Sequence, residues 1–215
     1  MTARSDLPAL LVFAKEPVPG QVKTRLAAAV GDERAAAVYR ELTAVTLAQA
    51  AQARCAGIVG RLELWCAPDT RSPYFAALAA AHGATLHRQG DGDLGSRMAA
   101  AITDALTRAP AVLLVGTDCP TIDGDYLARA RAALTSHDAV IGPADDGGYV
   151  LIGATCPLSF SAVRWSTAHA RGDTIAAFER AGRCWASLPE RWDVDDAAGL
   201  ARWEAQRAAA ASARA

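Results

Sequence analysis

The chain has 215 residues, 52% of them hydrophobic and 21% charged, with 22 Lys+Arg against 23 Asp+Glu and a formal net charge of -1. That length allows one domain with a sizeable core, and the near-neutral balance lacks the cationic surplus that counterion release along a nucleic acid requires, so no nucleic-acid partner is expected. No apolar run reaches the ~20 residues that span a bilayer, and the start enters a short apolar strand without an extended apolar leader, so a cytoplasmic protein without a membrane partner is expected.

Short apolar strands alternate with alanine-rich helices along the chain. Ala9-Leu-Leu-Val-Phe-Ala14 reads as a strand, followed by a Pro/Gly loop and a long helix over 31–54. Arg61-Leu-Glu-Leu-Trp-Cys66 is the next strand, then come a helix over 72–82, a short strand over 84–87, a polar Gly/Asp loop and a helix over 95–108. Ala111-Val-Leu-Leu-Val-Gly116 is the most continuous apolar run, as expected of a central strand covered on both faces. A helix over 123–136 precedes two strands, 138–142 and 148–153, whose connection is too short for a crossover, so an antiparallel pairing is expected. The last third holds a looser stretch around Trp165-Ser-Thr167, a helix over 174–181, a strand over 183–188, and an acidic turn before a C-terminal helix that loosens into an Ala-rich tail over 202–215. This alternation predicts one α/β domain, core 9–200, built on a mainly parallel three-layer sheet with its sites in the loops at strand carboxyl ends. The five cysteines form no C-x-x-C pair and are expected to be buried reduced thiols, and the four histidines, without metal-ligand spacing, to lie at the surface or in caps.

The loop Ala14-Lys-Glu-Pro-Val-Pro-Gly-Gln-Val-Lys-Thr-Arg-Leu26 is where an anion-binding loop belongs. Lys15, Lys23 and Arg25 bring positive charge, Gly20 and the prolines stiffen the turn, and backbone N–H groups around Thr24 near a helix start can face phosphate oxygens. Lys15 and Lys23 are the only lysines in the chain, against 20 arginines, and lysine offers the compact point charge that phosphate sites use. The Walker spacing is absent. Asp118, in Val115-Gly-Thr-Asp-Cys-Pro120, projects at the end of the central strand as either a hard oxygen ligand for Mg²⁺ or Mn²⁺ or the cap of the next helix. Alternation in Trp192-Asp-Val-Asp-Asp-Ala-Ala-Gly-Leu200 sets Asp193 and Asp195 on one side of an extended segment, where they could complete that cation site or serve as helix-start acids. In Gly90-Asp-Gly-Asp-Leu-Gly-Ser-Arg-Met98, the glycines Gly92 and Gly95 allow close backbone approach to a base or ribose, unless the segment is simply a capped helix start. Cys119, beside Asp118, ends an apolar strand and reads as a buried thiol rather than a nucleophile.

The run from Lys15 to Leu26 resembles the N-terminal signature of GT-A-fold nucleotide transferases, most closely the bacterial family known as rSAM/selenodomain-associated transferase 1. Its Lys-Thr-Arg-Leu core is similar to that of the 2-phospho-lactate guanylyltransferases. Gly-Thr-Asp-Cys-Pro, the segment with Gly92, Leu94, Gly95 and Arg97, the segment Gly142-Pro-Ala-Asp-Asp-Gly-Gly-Tyr149 and the Asp-x-Asp ending match the same pattern in order over residues 10–200. The ending departs from it, with Asp196 where Thr is usual and Gly199 where an acid is usual. The resemblance implies a GT-A (Rossmann-like) fold and a divalent-metal-dependent transferase. In it Lys15, Gly20, Lys23, Thr24, Arg25, Gly92, Leu94, Gly95 and Arg97 bind the nucleotide, and Asp118, Asp193 and Asp195 hold Mg²⁺ or Mn²⁺. Asp146, Gly147, Gly148 and Tyr149 face the acceptor, and Lys23, Arg25 and Asp118 act in catalysis. The expected reaction is nucleotidyl transfer from a nucleoside triphosphate to a small phosphorylated acceptor. The alternatives are glycosyl transfer from a nucleotide-diphosphate sugar and nucleotide binding without catalysis.

Overall fold

The computed structural model describes residues 6–212. Seven strands form one sheet: β1 (Ala9–Lys15), β2 (Arg61–Ala67), β3 (Thr85–Arg88), β4 (Val112–Val115), β5 (Ala139–Pro143), β6 (Tyr149–Ala154) and β7 (Trp185–Ser187), in the spatial order β3-β2-β1-β4-β6-β5-β7. β6 alone runs antiparallel to its neighbours, β4 and β5, and the other pairings are parallel. The continuous apolar run becomes β4, fully buried at the centre of the sheet. The α/β class and the antiparallel strand both follow the sequence expectation.

Helices cover both faces because each strand splits its side chains between two cores. Leu10, Val12 and Ala14 of β1 join the core under α2 (Asp32–Cys55), α3 (Pro73–His82) and α5 (Gly124–Ala133). Ala9, Leu11 and Phe13 join the opposite core under α4 (Leu94–Leu106) and α6 (Ala170–Arg180). A third cluster fastens α7 (Ala197–Ser212) to α2 and to α1 (Thr24–Val30), through Trp203 and Leu200 against Leu26, Val38 and Leu42. α2 runs 24 residues without Gly or Pro, with Asp32 and Glu33 in its first turn and Arg54 in its last, matching the helix dipole.

Four sequence expectations need correction. α1 was not anticipated: its one fully buried residue is Leu26, and seven residues capped by Gly31 are too few to show a period. α6 begins at Ala170, four residues before the predicted start, because Gly172, which reads as a breaker, sits in the first turn with open space where a Cβ would stand. The tail does not loosen beyond Arg202: α7 continues to Ser212, and 213–215 lie outside the described residues. Of the five thiols only Cys66 and Cys119 are buried, whereas Cys55, the last residue of α2, and Cys184, on the connection from α6 to β7, are exposed.

Candidate active site

The chain steps from β1 to β2 and β3 on one side, then returns to place β4 on the other side of β1. At such a switch point the loops leaving the carboxyl ends of the strands diverge and leave a crevice. A cleft of about 780 Å³ opens there. Lys15, Lys23, Thr24 and Arg25 line it together with Leu94 and Arg97 of α4, and with Asp118, Asp146, Gly148, Tyr149 and Asp195. Residues 180 apart in sequence therefore line one cleft, in which cations and carboxylates are interleaved.

At the centre of the cleft Lys23 Nζ forms an ion pair with Asp118 Oδ1 and donates to Asp195 Oδ1 at 2.8 Å. The Lys23 side chain is only 3% exposed, while Asp118 and Asp195 keep 46% and 36%. Its backbone is left-handed, φ 51°, at the residue before α1, a conformation that costs a non-glycine residue about 1–2 kcal/mol. Burial by itself lowers the Lys23 pKa, but the charges and hydrogen bonds of Asp118 and Asp195 outweigh it, and the net shift is upward. Arg25, mostly exposed, reaches Asp195 Oδ2 at 3.6 Å.

The acidic turn is held in place by a backbone bond from Val194 N to Asp118 O, 2.9 Å. This bond seats Asp195 at the cleft, while Asp193 lines a small adjoining pocket with Asp118, Cys119 and Tyr149. Burial, then the charges of Asp195, Asp146 and Asp118, push the Asp193 carboxyl up to about 7. Asp118 is not the cap of the next helix: Asp123 does that, accepting from Tyr126 N at 2.8 Å. The two departures in the acidic ending also have local reasons. Asp196 accepts from Gly199 N at 2.9 Å, and a Cβ on Gly199 would stand 2.8 Å from Asp193 O, so the first turn of α7 lies directly on the acidic turn.

Gly20, Gly92, Gly95 and Gly147 do not line the cleft. A Cβ at Gly95 would come within 2.9 Å of both Phe160 and Trp165, so this glycine admits the 158–168 segment against α4. Gly147, with φ +89°, lies against Ala168, and Asp146 Oδ1 accepts from Gly148 N at 2.8 Å to close the turn. Tyr149 presents its ring to the cleft and packs edge-on to Trp165. Its hydroxyl is buried at Thr174, and burial raises its pKa.

Three parts of the site were not legible in sequence. Buried Gln89 donates to Ala14 O and Trp65 O and accepts from Arg97 Nη1 at 3.2 Å, tying β1 and β2 together and aiming Arg97. Tyr39 of α2 accepts from Lys15 N at 2.7 Å, with its hydroxyl raised to about 12 by burial and by Asp118. A lone Gln beside a Gly-rich loop and a Tyr within a helix carry no motif that could have marked them. Trp165, Ser166 and Thr167, whose role the sequence did not reveal, form part of the cleft wall.

Asp118 and Asp195 are suited to a hard divalent cation that arrives with phosphate. Mg²⁺ is usually bound by one or two carboxylates completed by substrate phosphates and water. No cage of three or more His, Cys, Asp or Glu is present among the described residues, and two half-exposed carboxylates facing an open cleft fit the first arrangement.

The profile described as "Uncharacterized protein conserved in bacteria (DUF2064)" matches residues 41–167. A crystal structure from Desulfovibrio desulfuricans G20, provisionally described as a nucleotide-diphospho-sugar transferase, is 34% identical over 88% of this chain and 82% of that one, with a TM-score of 0.76. Two more distant structures share the fold alone. They are a CMP:2-keto-3-deoxy-manno-octonic acid synthetase complexed with CTP (11% identity, 94% and 98% coverage, TM-score 0.55) and the glucosyl-3-phosphoglycerate synthase of Mycobacterium tuberculosis with Mn²⁺, UDP and glucosyl-3-phosphoglycerate (11%, 87% and 72%, 0.51). No curated protein matches the chain by sequence, and no helix among the described residues is long and apolar enough to cross a membrane. On the profile match, which spans more than half of it, the chain belongs to the DUF2064 family of bacterial proteins.

Proposed function

We propose that the chain is a divalent-metal-dependent transferase acting on a nucleotide, and that it moves a nucleotidyl group from a nucleoside triphosphate to a small phosphorylated acceptor with release of pyrophosphate. The observation that carries this reading is the set of charges gathered in one cleft at the strand carboxyl ends: the cations Lys15, Lys23, Arg25 and Arg97 together with the carboxylates Asp118, Asp146 and Asp195. A triphosphate bound among those four cationic side chains has its charge neutralised by them, and its α-phosphate is turned toward the carboxylates. Asp118 and Asp195 would hold Mg²⁺ or Mn²⁺, which supplies further charge neutralisation at the phosphates. An acceptor oxygen entering past Asp146 and the Tyr149 ring forms the new bond to the α-phosphorus. The bond to the β-phosphate oxygen breaks, and pyrophosphate leaves along Lys15, Lys23 and Arg25. Catalysis on this reading is positioning and electrostatics, with no covalent intermediate.

A second reading has its own support in the name of the D. desulfuricans relative, a nucleotide-diphospho-sugar transferase. In it the same cations hold a diphosphate, and a sugar is what moves. A thermal-shift panel of the four nucleoside triphosphates against common sugar nucleotides, with and without Mg²⁺ or Mn²⁺, separates the two. A ligand at about 100 times its Kd stabilises the fold by about 2.7 kcal/mol. A metal-dependent shift with one triphosphate is the expected result, and a shift with a sugar nucleotide alone would move the assignment to glycosyl transfer. Tight nucleotide binding indifferent to metal, with no turnover, would remove the enzyme assignment altogether. Asp118→Ala is expected to fold and to lose metal-dependent turnover. A folded Asp118→Ala protein that keeps it would sink the role given to this carboxylate.

A further inference from the structure

The space between Asp118 and Asp195, where a divalent cation would sit, is taken by the Lys23 ammonium, in contact with one oxygen of each. Several features set this apart from an incidental surface pair. Lysine is among the residue types least often fully buried, yet this side chain is 3% exposed while both of its acids stay open to the cleft. The carboxylates could have remained hydrated without it, so the burial is of the ammonium and not of the acids. Lys23 is also one of only three non-glycine residues with positive φ among the described residues, so the backbone is held in an unfavourable conformation at the residue that supplies this ammonium. With 20 arginines in the chain, the position uses one of two lysines, a compact charge on a flexible stem that can exchange partners, where a guanidinium would form a fixed fork.

We propose that Lys23 is the resident counter-ion of the divalent site. It occupies the carboxylate pair in the free protein and excludes free divalent cations. It yields the pair when nucleotide phosphates give the ammonium another anionic partner, so that metal enters together with the nucleotide and not before it. The proposal rests on the reading of Asp118 and Asp195 as the cation's ligands. It gives Lys23 two successive partners, carboxylate and then phosphate, without a change of fold.

The test is Mn²⁺ uptake by the nucleotide-free protein, followed by loss of the electron paramagnetic resonance signal of free Mn²⁺. Wild type is expected to bind weakly. Lys23→Met should bind tighter by at least about tenfold, since a unit positive charge in contact with both ligands is removed. Lys23→Arg, which keeps the charge, should stay near wild type, and adding Asp118→Asn to Lys23→Met should abolish the gain. Stoichiometric Mn²⁺ binding by nucleotide-free wild type overturns the proposal, even if the Met variant fails to fold. Equal affinity of wild type and Lys23→Met overturns it while leaving the cation site standing. Absence of Mn²⁺ uptake by every form, with and without each nucleoside triphosphate, overturns the proposal and the cation site together.

Discussion

At the residue scale the cleft depends on a few side chains with more than one partner. Lys23 has two, so losing either acid leaves a largely buried ammonium with a single counter-charge. Removing one partner of a fully buried pair costs about 3–5 kcal/mol. Here Asp118 is half-exposed and Asp195 remains, so Asp118→Ala should cost about 1–2 kcal/mol by denaturant titration. The double variant with Lys23→Met should lose less than the sum of the two singles. Strict additivity would mean that the ion pair contributes nothing to stability. A second residue-scale expectation concerns Asp173, which accepts from the backbone N, Nε and Nη2 of Arg164 at 2.9–3.0 Å. Those bonds hold its carboxyl down to about 2. Because the folded pKa lies below the unfolded one, the tether of the 158–168 segment is fully present above about pH 4 and is lost as pH falls through about 2. An NMR titration of the Asp173 carboxyl should find its midpoint near 2, and a midpoint at the ordinary aspartate value would show that the tether is not formed. The lysines and the acidic endings were legible in sequence because charge type and spacing mark them. Gln89 and Tyr39 were not, since each acts by bonding backbone groups of distant segments that only folding brings together.

At the element scale the strands and long helices were readable from period and breakers, and the connections around the cleft were not. β4 follows from an unbroken apolar run, and α3 from Pro73 at its start and Gly83, φ +60°, at its end. The short α1 and the 158–168 segment are set by what they pack against, and sequence periodicity carries no trace of that. The capping assignments are testable element by element. Asp123 closes the N-terminus of α5 on the far side of the loop that carries Asp118. Asp123→Ala should therefore cost about 1 kcal/mol, a fall in Tm of about 2–4 °C for a chain of this size, with nucleotide affinity unchanged. An equal loss of affinity would mean that α5 helps to position Asp118. Gly95→Ala should reach the ligand as well as the melt. Its Cβ would meet Phe160 and Trp165 at 2.9 Å, so the added methyl is expected to push the 158–168 segment off α4 and weaken ligand binding by more than the thermal melt alone explains.

At the scale of the whole molecule, the ion pair at the centre of the cleft sits between two elements that are themselves packed together. Lys23 immediately precedes α1, and Asp195 lies two residues before α7. Leu26 of α1 and Leu200 and Trp203 of α7 share one cluster with Val38 and Leu42 of α2, and Val194 and Trp192 from the acidic turn belong to it as well. The cluster thus fixes the distance between the two ends of the Lys23–Asp195 bond from behind. Trp203 is 3% exposed and Arg207 stacks on its ring at 4.8 Å, so Trp203→Ala opens a cavity costing about 3–5 kcal/mol. If the cluster sets the geometry of the cleft, the loss should appear as a lower Tm in a single transition, and the stabilisation by a saturating triphosphate with Mg²⁺ should shrink along with it. A variant that melts at lower temperature yet gains as much from the ligand as wild type would show that α7 contributes stability without positioning Asp195. A separate early transition for α7 would show that the helix is fastened to the sheet less firmly than its buried indole implies.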